Sequence, residues 1–98
     1  MKVVLEEDAK QDLRESFHFY EENETGAGWY FLEKIQEEIR SLGQIGGIHR
    51  KRHGFHFYAS RRFPHGVFYQ VEHDTVKIAA ILDSRRHPSL LQDILRTR

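Results

Sequence analysis

The chain of 98 residues contains no cysteine, which excludes a disulfide framework and any thiolate chemistry. No apolar segment approaches the roughly 20 residues that a membrane helix needs, so no membrane partner is expected. The first ten residues, MKVVLEEDAK, lack the apolar run of a secretory signal. Proline occurs only twice, at Pro64 and Pro88. No internal repeat or low-complexity tract appears. These absences describe one cytoplasmic domain spanning residues 1–98, large enough for a modest core.

What is present is charge, unevenly distributed. The formal net charge is zero, but residues 1–42 carry five basic and eleven acidic side chains, whereas residues 43–98 carry ten basic and four acidic ones. Six of the seven histidines lie in the basic part. Such a dipolar chain points to a basic surface facing an acidic partner or nucleic acid.

Lys2 to Leu5 is a short apolar run and reads as a first strand. Asp8 is a candidate N-cap, and Ala9, Leu13, Phe17 and Tyr20 follow at helical spacing, predicting a helix over 8–23. The turn composition of Asn23–Gly28 ends it. A second helix is expected over 27–42, with Gly28, Leu32, Ile35, Ile39 and Leu42 as its seam, Trp29 and Phe31 beside the seam, and Gly43 as the C′ residue. Matching stripes make the two helices an antiparallel hairpin.

Gly43 to Gly54 has loop composition and carries the cluster His49-Arg50-Lys51-Arg52-His53. Arg50, Lys51 and Arg52 form a candidate basic loop for phosphate. His49, His53 and His56 are spaced by four and three, but no cysteine or carboxylate lies near them in sequence, so no metal site is assigned. No cofactor motif is present, and no cofactor is expected.

Phe55 to Ser60 alternates as a strand and runs into Arg61-Arg62. Phe63-Pro64-His65-Gly66 has turn chemistry. Val67, Tyr69 and Val71 alternate with Phe68, Gln70 and Glu72, and Thr75 to Leu82 is an apolar run suited to a strand buried on both faces. His73-Asp74 is the hairpin loop between them. Antiparallel pairing would bring Arg61-Arg62 and Arg85-Arg86 out at one end of the sheet. Pro88 suits the first turn of a short helix with Leu90, Leu91, Ile94 and Leu95 on one side. The expected fold is α+β in the order β-α-α-β-β-β with a short C-terminal helix: a mostly antiparallel sheet with a helical hairpin on one face.

These pieces together resemble the RelE/ParE superfamily of type II toxins, often called plasmid stabilisation proteins. The resemblance covers almost the whole chain. It is carried by Asp12-Leu13, Phe19-Tyr20 and Phe31-Leu32, then by Arg61-Arg62-Phe63-Pro64, Val67-Phe68-Tyr69-Gln70-Val71 and Ile81-Leu82-Asp83-Ser84-Arg85-Arg86-His87-Pro88. The RelE branch cleaves messenger RNA on the ribosome. It places an arginine where this chain has Gly66, a second matched by Arg86 or Arg85, and a tyrosine in the region that here reads Leu90-Leu91-Gln92. A ribonuclease here would have to rest on Arg61, Arg86 and His87.

The ParE branch is the closer likeness, through the RRFP turn and the SRRHP ending. It implies a toxin that binds DNA gyrase, is not an enzyme, and is neutralised by a cognate antitoxin. Arg61, Arg62, Arg85, Arg86 and His87 are then the target-binding candidates, with Tyr69 on the same strand pair but better suited to the core. A ribosome-dependent nuclease and a non-toxic member kept as an antitoxin-binding scaffold are the alternatives. The resemblance also implies that the antitoxin lays a partly helical acidic segment in an apolar groove along the helical hairpin and adjoining sheet.

Overall fold

A computed structural model describes residues 1–98. The elements run β1 (Lys2–Leu5), α1 (Glu7–Asn23), α2 (Ala27–Ile45), β2 (Lys51–Arg52), β3 (Phe55–Ala59), β4 (His65–Glu72), β5 (Thr75–Asp83) and α3 (Pro88–Arg96). The five strands form one sheet in the order β1-β5-β4-β3-β2. Only the β1–β5 pair is parallel; the other three pairs are antiparallel. No helix is long and apolar enough to cross a membrane.

The strand periodicity places a core on each face. Val67, Tyr69, Val76, Ile78 and Ile81 pack against Ala9 and Leu13 of α1 and Phe31, Ile35, Ile39 and Leu42 of α2. Phe68, Ala80 and Leu82 face the other way and meet Leu91 and Leu95 of α3, with Phe55 and Phe57 beside them. Burying each large apolar side chain contributes about 1.5–3 kcal/mol, so the final helix is held by its own small core. The His73-Asp74 loop is tight as expected, with both residues at positive φ (49° and 61°), as a two-residue hairpin turn requires.

Five local expectations are corrected. Helix α1 starts at Glu7 and its N-cap is Glu6, not Asp8. The Glu6 amide donates to Ile78 O at 2.9 Å, which keeps residue 6 extended at the end of β1 and lets the helix begin directly behind it. Gly43 does not end α2; the helix continues to Ile45 and is capped at Gly46. Gly43 is instead a point of close approach, where a β-carbon would lie 2.8 Å from Met1 O. The seam of α2 is also rotated: Phe31 is fully buried, Leu32 only partly, and Trp29 is 64 % exposed. Finally, the stretch after α2 is not all loop, because Lys51 and Arg52 pair with His56 and Phe55 and add a strand to the sheet edge. The strand after the Phe63–Gly66 turn also starts earlier than its apolar alternation, at His65.

One irregularity shapes the middle of β5. The pairing of β4 with β5 steps from Phe68↔Ala80 to Tyr69↔Ile78, leaving Ala79 as the extra residue of a bulge. Since β1 covers β5 only as far as Ile78, the edge beyond it has free backbone groups. Asp12 accepts from Ile81 N at 2.9 Å, and Arg98 Nη1 donates to Ala79 O at 2.9 Å. Asp12 and Arg98 are themselves joined by two charge-assisted bonds of 2.8 and 3.0 Å. The ion pair thus completes the sheet where the strand stops.

Candidate functional site

The antiparallel pairing of β4 with β5 sets His65 opposite Asp83, so the chain entering β4 and the chain leaving β5 emerge at one sheet end. Ser84 N donates to Pro64 O at 2.9 Å and ties the two segments together. This end carries both arginine pairs, but they lie on different sides of it. Arg62 faces α2, where its Nη1 lies 3.4 Å from the carboxylate of Glu37. Arg85 and Arg86 line a cleft of about 400 Å³ together with Ser16, Tyr20, His65 and Asp83, between α1, the end of β5 and α3.

The turn bearing Arg61 and Arg62 is anchored by a buried carboxylate. Glu38 accepts from Tyr58 Oη at 2.6 Å, Ser60 Oγ at 2.8 Å and Arg61 N at 2.8 Å. Burial pushes the Glu38 carboxyl up, but the Tyr58, Arg61 and Ser60 hydrogen bonds outweigh it and hold the group below the usual carboxylate range. Burial and the same carboxylate push the Tyr58 phenol up to about 12. The backbone of this turn is therefore rigid, while the Arg61 guanidinium has no carboxylate within ion-pair distance.

On the other side, Arg85 folds back on Asp83, with Nη2 donating at 2.8 Å and Nε at 3.1 Å. This pairing, chiefly the side-chain hydrogen bond from Arg85, brings Asp83 down to about 2. Arg86 is exposed, and only its backbone is bonded, to Asp83 O at 3.3 Å. His87 is the N-cap of α3; its Nδ1 accepts from Ser89 N at 3.1 Å, which places any single ring proton on Nε2. Of the five candidate residues, Arg61 and Arg86 present open guanidinium groups, Arg62 and Arg85 are partnered, and His87 has a structural task.

His65 lies beneath this end, 5 % exposed, and was read in sequence only as part of a turn. Its Nε2 is 3.2 Å from Ser16 Oγ, whereas Nδ1 is buried without a partner. The rings of Tyr20, Phe31 and Phe63 surround it. Burial pushes its pKa down, Asp83 opposes that, and Arg85 and Arg86 push it further down, so the ring is neutral.

Gly66 is the position where a cation would stand in the ribonuclease branch. The ring of Phe57 covers it, and a β-carbon there would fall 2.2 Å from Phe57 Cε1. Tyr69 is fully buried; its Oη accepts from Gly47 N at 2.9 Å and meets His49 Nδ1. His56 Nδ1 donates to His49 O at 2.6 Å, so His49 and His56 serve the packing of this loop. No three histidine or carboxylate groups are placed to hold a metal ion. Arg50, Lys51 and Arg52 lie at the far edge of the sheet from β1 and are exposed.

A second surface runs along the hairpin. Val3, Leu5, Leu13, Phe17, Trp29 and Leu32 line an open apolar groove of about 660 Å³, with Lys10 and Arg14 on its wall. Phe17 meets Trp29 edge-to-face at 4.8 Å, which keeps the exposed indole upright. The groove borders β1, the edge strand whose outer side has no neighbour in the sheet. The resemblance implies an apolar groove along the hairpin; periodicity does not pick out its lining, because Phe17 also fits the helix–helix stripe.

The chain is thus a small α+β domain with an arginine-bearing sheet end and an open apolar groove on its helical hairpin. The family model described as the ParE toxin of the type II toxin–antitoxin system parDE matches residues 3–88. The chain belongs to this ParE toxin family, which makes an antitoxin its expected companion. Among solved structures it is similar to the chromosomal ParDE toxin–antitoxin system from P. aeruginosa, with a TM-score of 0.73 and 21 % identity over 83 % of this chain and 92 % of that one. No curated protein sequence matches significantly.

Proposed function

We propose that this ParE-family toxin arrests growth in the cytoplasm by binding DNA gyrase through the sheet end that carries Arg61, Arg62, Arg85 and Arg86, without catalysing a reaction and without a cofactor. One observation carries this reading over the nuclease alternative. The set a nuclease would need is incomplete at this end: Gly66, covered by Phe57, carries no cation, His65 is buried, His87 spends Nδ1 on capping α3, and the nearby carboxylates of Asp83 and Glu37 are paired with Arg85 and Arg62. General acid–base cleavage needs a proton donor and acceptor within hydrogen-bond reach of the reacting phosphate. A binding inhibitor needs only a shaped surface with well-placed arginines.

Residues 1–98 act in this reading as one toxin domain, neutralised by an antitoxin. The groove beside Trp29 supports the seat expected for the antitoxin segment, because it is apolar, sits on the helical hairpin and has Lys10 and Arg14 for an acidic strand or helix.

The test is a gyrase supercoiling assay with the purified chain. Inhibition that is lost in an Arg61→Ala/Arg86→Ala variant with an unchanged melting temperature is the expected result. Normal supercoiling at large toxin excess overturns the reading. Messenger RNA cut at codons on the ribosome during arrest would move the chain to the nuclease branch.

A further inference from the structure

The longest stretch of this neutral chain without a carboxylate side chain runs from residue 39 to residue 71, and Arg50, Lys51 and Arg52 lie within it. Their charge is not spent on intramolecular pairing. None of the three side chains forms an ion pair, in contrast to Arg62, Arg85, Arg96 and Arg98. All three residues are exposed, on a two-stranded ribbon that turns at 53–54. Unneutralised neighbouring cations repel one another, and a chain with as many acids as bases had the means to screen them.

The ribbon is held in place from below. Gly47 N donates to Tyr69 Oη, His56 Nδ1 donates to His49 O at 2.6 Å, and Phe57 N donates to Arg50 O at 2.9 Å. Arg52 stacks its guanidinium over the Phe57 ring at 4.5 Å, which orients the group and leaves its N–H donors open. His49, Arg50, Lys51, Arg52 and Phe57 line a single shallow hollow. The backbone of the ribbon and the Arg52 guanidinium are thus set before a ligand arrives, which lowers part of the ordering cost of binding.

The chemistry of the hollow selects its ligand. Phe57 is its one apolar side chain, and Arg52 covers it, so there is little for a peptide to bury; the other ring, His49, is held edge-on by Tyr58 and Tyr69. Phosphate oxygens match open guanidinium and ammonium donors. A two-stranded ribbon is also narrow enough for the major groove of a duplex. The apolar groove assigned above to the antitoxin lies by β1, at the opposite edge of the sheet. We propose that the β2–β3 ribbon is a second binding site, which uses Arg50, Lys51 and Arg52 to hold the phosphate backbone of double-stranded DNA without reading its sequence. The inference does not depend on gyrase being the target.

The test is fluorescence anisotropy of a labelled DNA duplex with the full chain, in salt from about 50 to about 200 mM. Three phosphate contacts predict a slope of log K against log salt of about −2.7. The Arg50→Gln/Lys51→Gln/Arg52→Gln variant should bind at least tenfold more weakly with a slope near zero, and Lys51→Gln alone should reduce the slope by about 0.9. Two random duplexes of equal length should bind alike, and a single strand no tighter. None of the three side chains makes a hydrogen bond or ion pair, and only the Arg52–Phe57 stacking, a weak contribution at an exposed site, is lost, so Lys51→Gln should keep the wild-type melting curve and the triple variant should melt only slightly lower. If the triple variant misfolds, the Lys51→Gln slope decides. Unchanged duplex affinity in the folded triple variant overturns the proposal. So does a variant that loses affinity for an acidic antitoxin peptide while its duplex binding is intact. Gyrase is absent from this assay, so its failure is distinguishable from failure of the gyrase reading.

Discussion

The ring of Phe57 lies across the α-carbon of Gly66, so close that an added β-carbon would come within 2.2 Å of its Cε1. The two residues belong to neighbouring strands, where Ala59 pairs with Gly66 and Phe57 with Phe68. Glycine in a strand normally weakens it by roughly 0.5–1 kcal/mol relative to alanine, so alanine here would stabilise the protein if space allowed. Phe57 reverses the sign. Gly66→Ala should destabilise by about 1–3 kcal/mol through overpacking. In a Phe57→Ala background the same change should be neutral or favourable. Urea denaturation of the four proteins of this cycle checks it.

The Asp12–Arg98 pair closes the edge of β5, and its loss should be costly. Asp12 is 6 % exposed and also accepts from Ile81 N. Arg98→Ala leaves a buried carboxylate without its cation and should cost about 3 kcal/mol, at the lower end for a broken buried pair. Arg98→Lys restores the charge but not the two-pronged geometry, and should recover only part of this. Thermal melts at pH 7 give the comparison. Equal melting temperatures for the wild type and Arg98→Ala would refute it.

Neutral His65 makes the fold acid-sensitive. The groups facing it are Ser16 and Tyr20 on α1, Phe31 on α2, Phe63, and Asp83, Arg85 and Arg86 at the end of β5. Its folded pKa lies below its unfolded value, mainly through burial, so below about pH 6.5 the unfolded chain takes up a proton that the folded chain refuses. Stability should therefore be fully present above pH 6.5 and be lost as pH falls, by up to about 1.4 kcal/mol per unit until the folded pKa is reached. His49, also lowered by burial and by His56, acts in the same direction. Urea midpoints from pH 7.5 to pH 5 should fall less steeply in His65→Gln, which cannot take up that proton.

A Trp29 substitution should separate antitoxin binding from folding. Its side chain is 64 % exposed and stands on the groove wall against Phe17. Trp29→Ser should change stability by less than about 1 kcal/mol, as a surface substitution. It should weaken antitoxin binding by about 2 kcal/mol or more if the indole is a central anchor. Calorimetric titration with the antitoxin measures this, and equal affinities would place the seat elsewhere.

Much of this architecture is readable along the chain. The alternation at Val67–Val71, the apolar run from Thr75 and the helical spacing of Ala9, Leu13, Phe17 and Tyr20 are local patterns, and each corresponds to an observed element. Gly43 misleads because a glycine tolerated for close packing against Met1 has the same letter as one that ends a helix. β2 is hidden for a related reason: two exposed cations show no alternation, and only pairing with β3 makes them a strand. The arginine pairs are visible as a motif, but their separate environments, with Glu37 beside Arg62 and Asp83 beside Arg85, are not.

The amino-acid sequence by itself determined the types of all elements but β2, the charge asymmetry and the emergence of both arginine pairs at one sheet end, since hairpin pairing follows from period-two patterning and a two-residue loop. Tertiary structure alone decided which charges are free. Ion pairing and burial depend on distances between residues remote in sequence, such as Asp12 and Arg98, 86 positions apart. Arg61, Arg86 and the β2–β3 ribbon are left with cations that no carboxylate of the fold reaches, and the indole of Trp29, edge-on to Phe17, is left 64 % exposed on the groove.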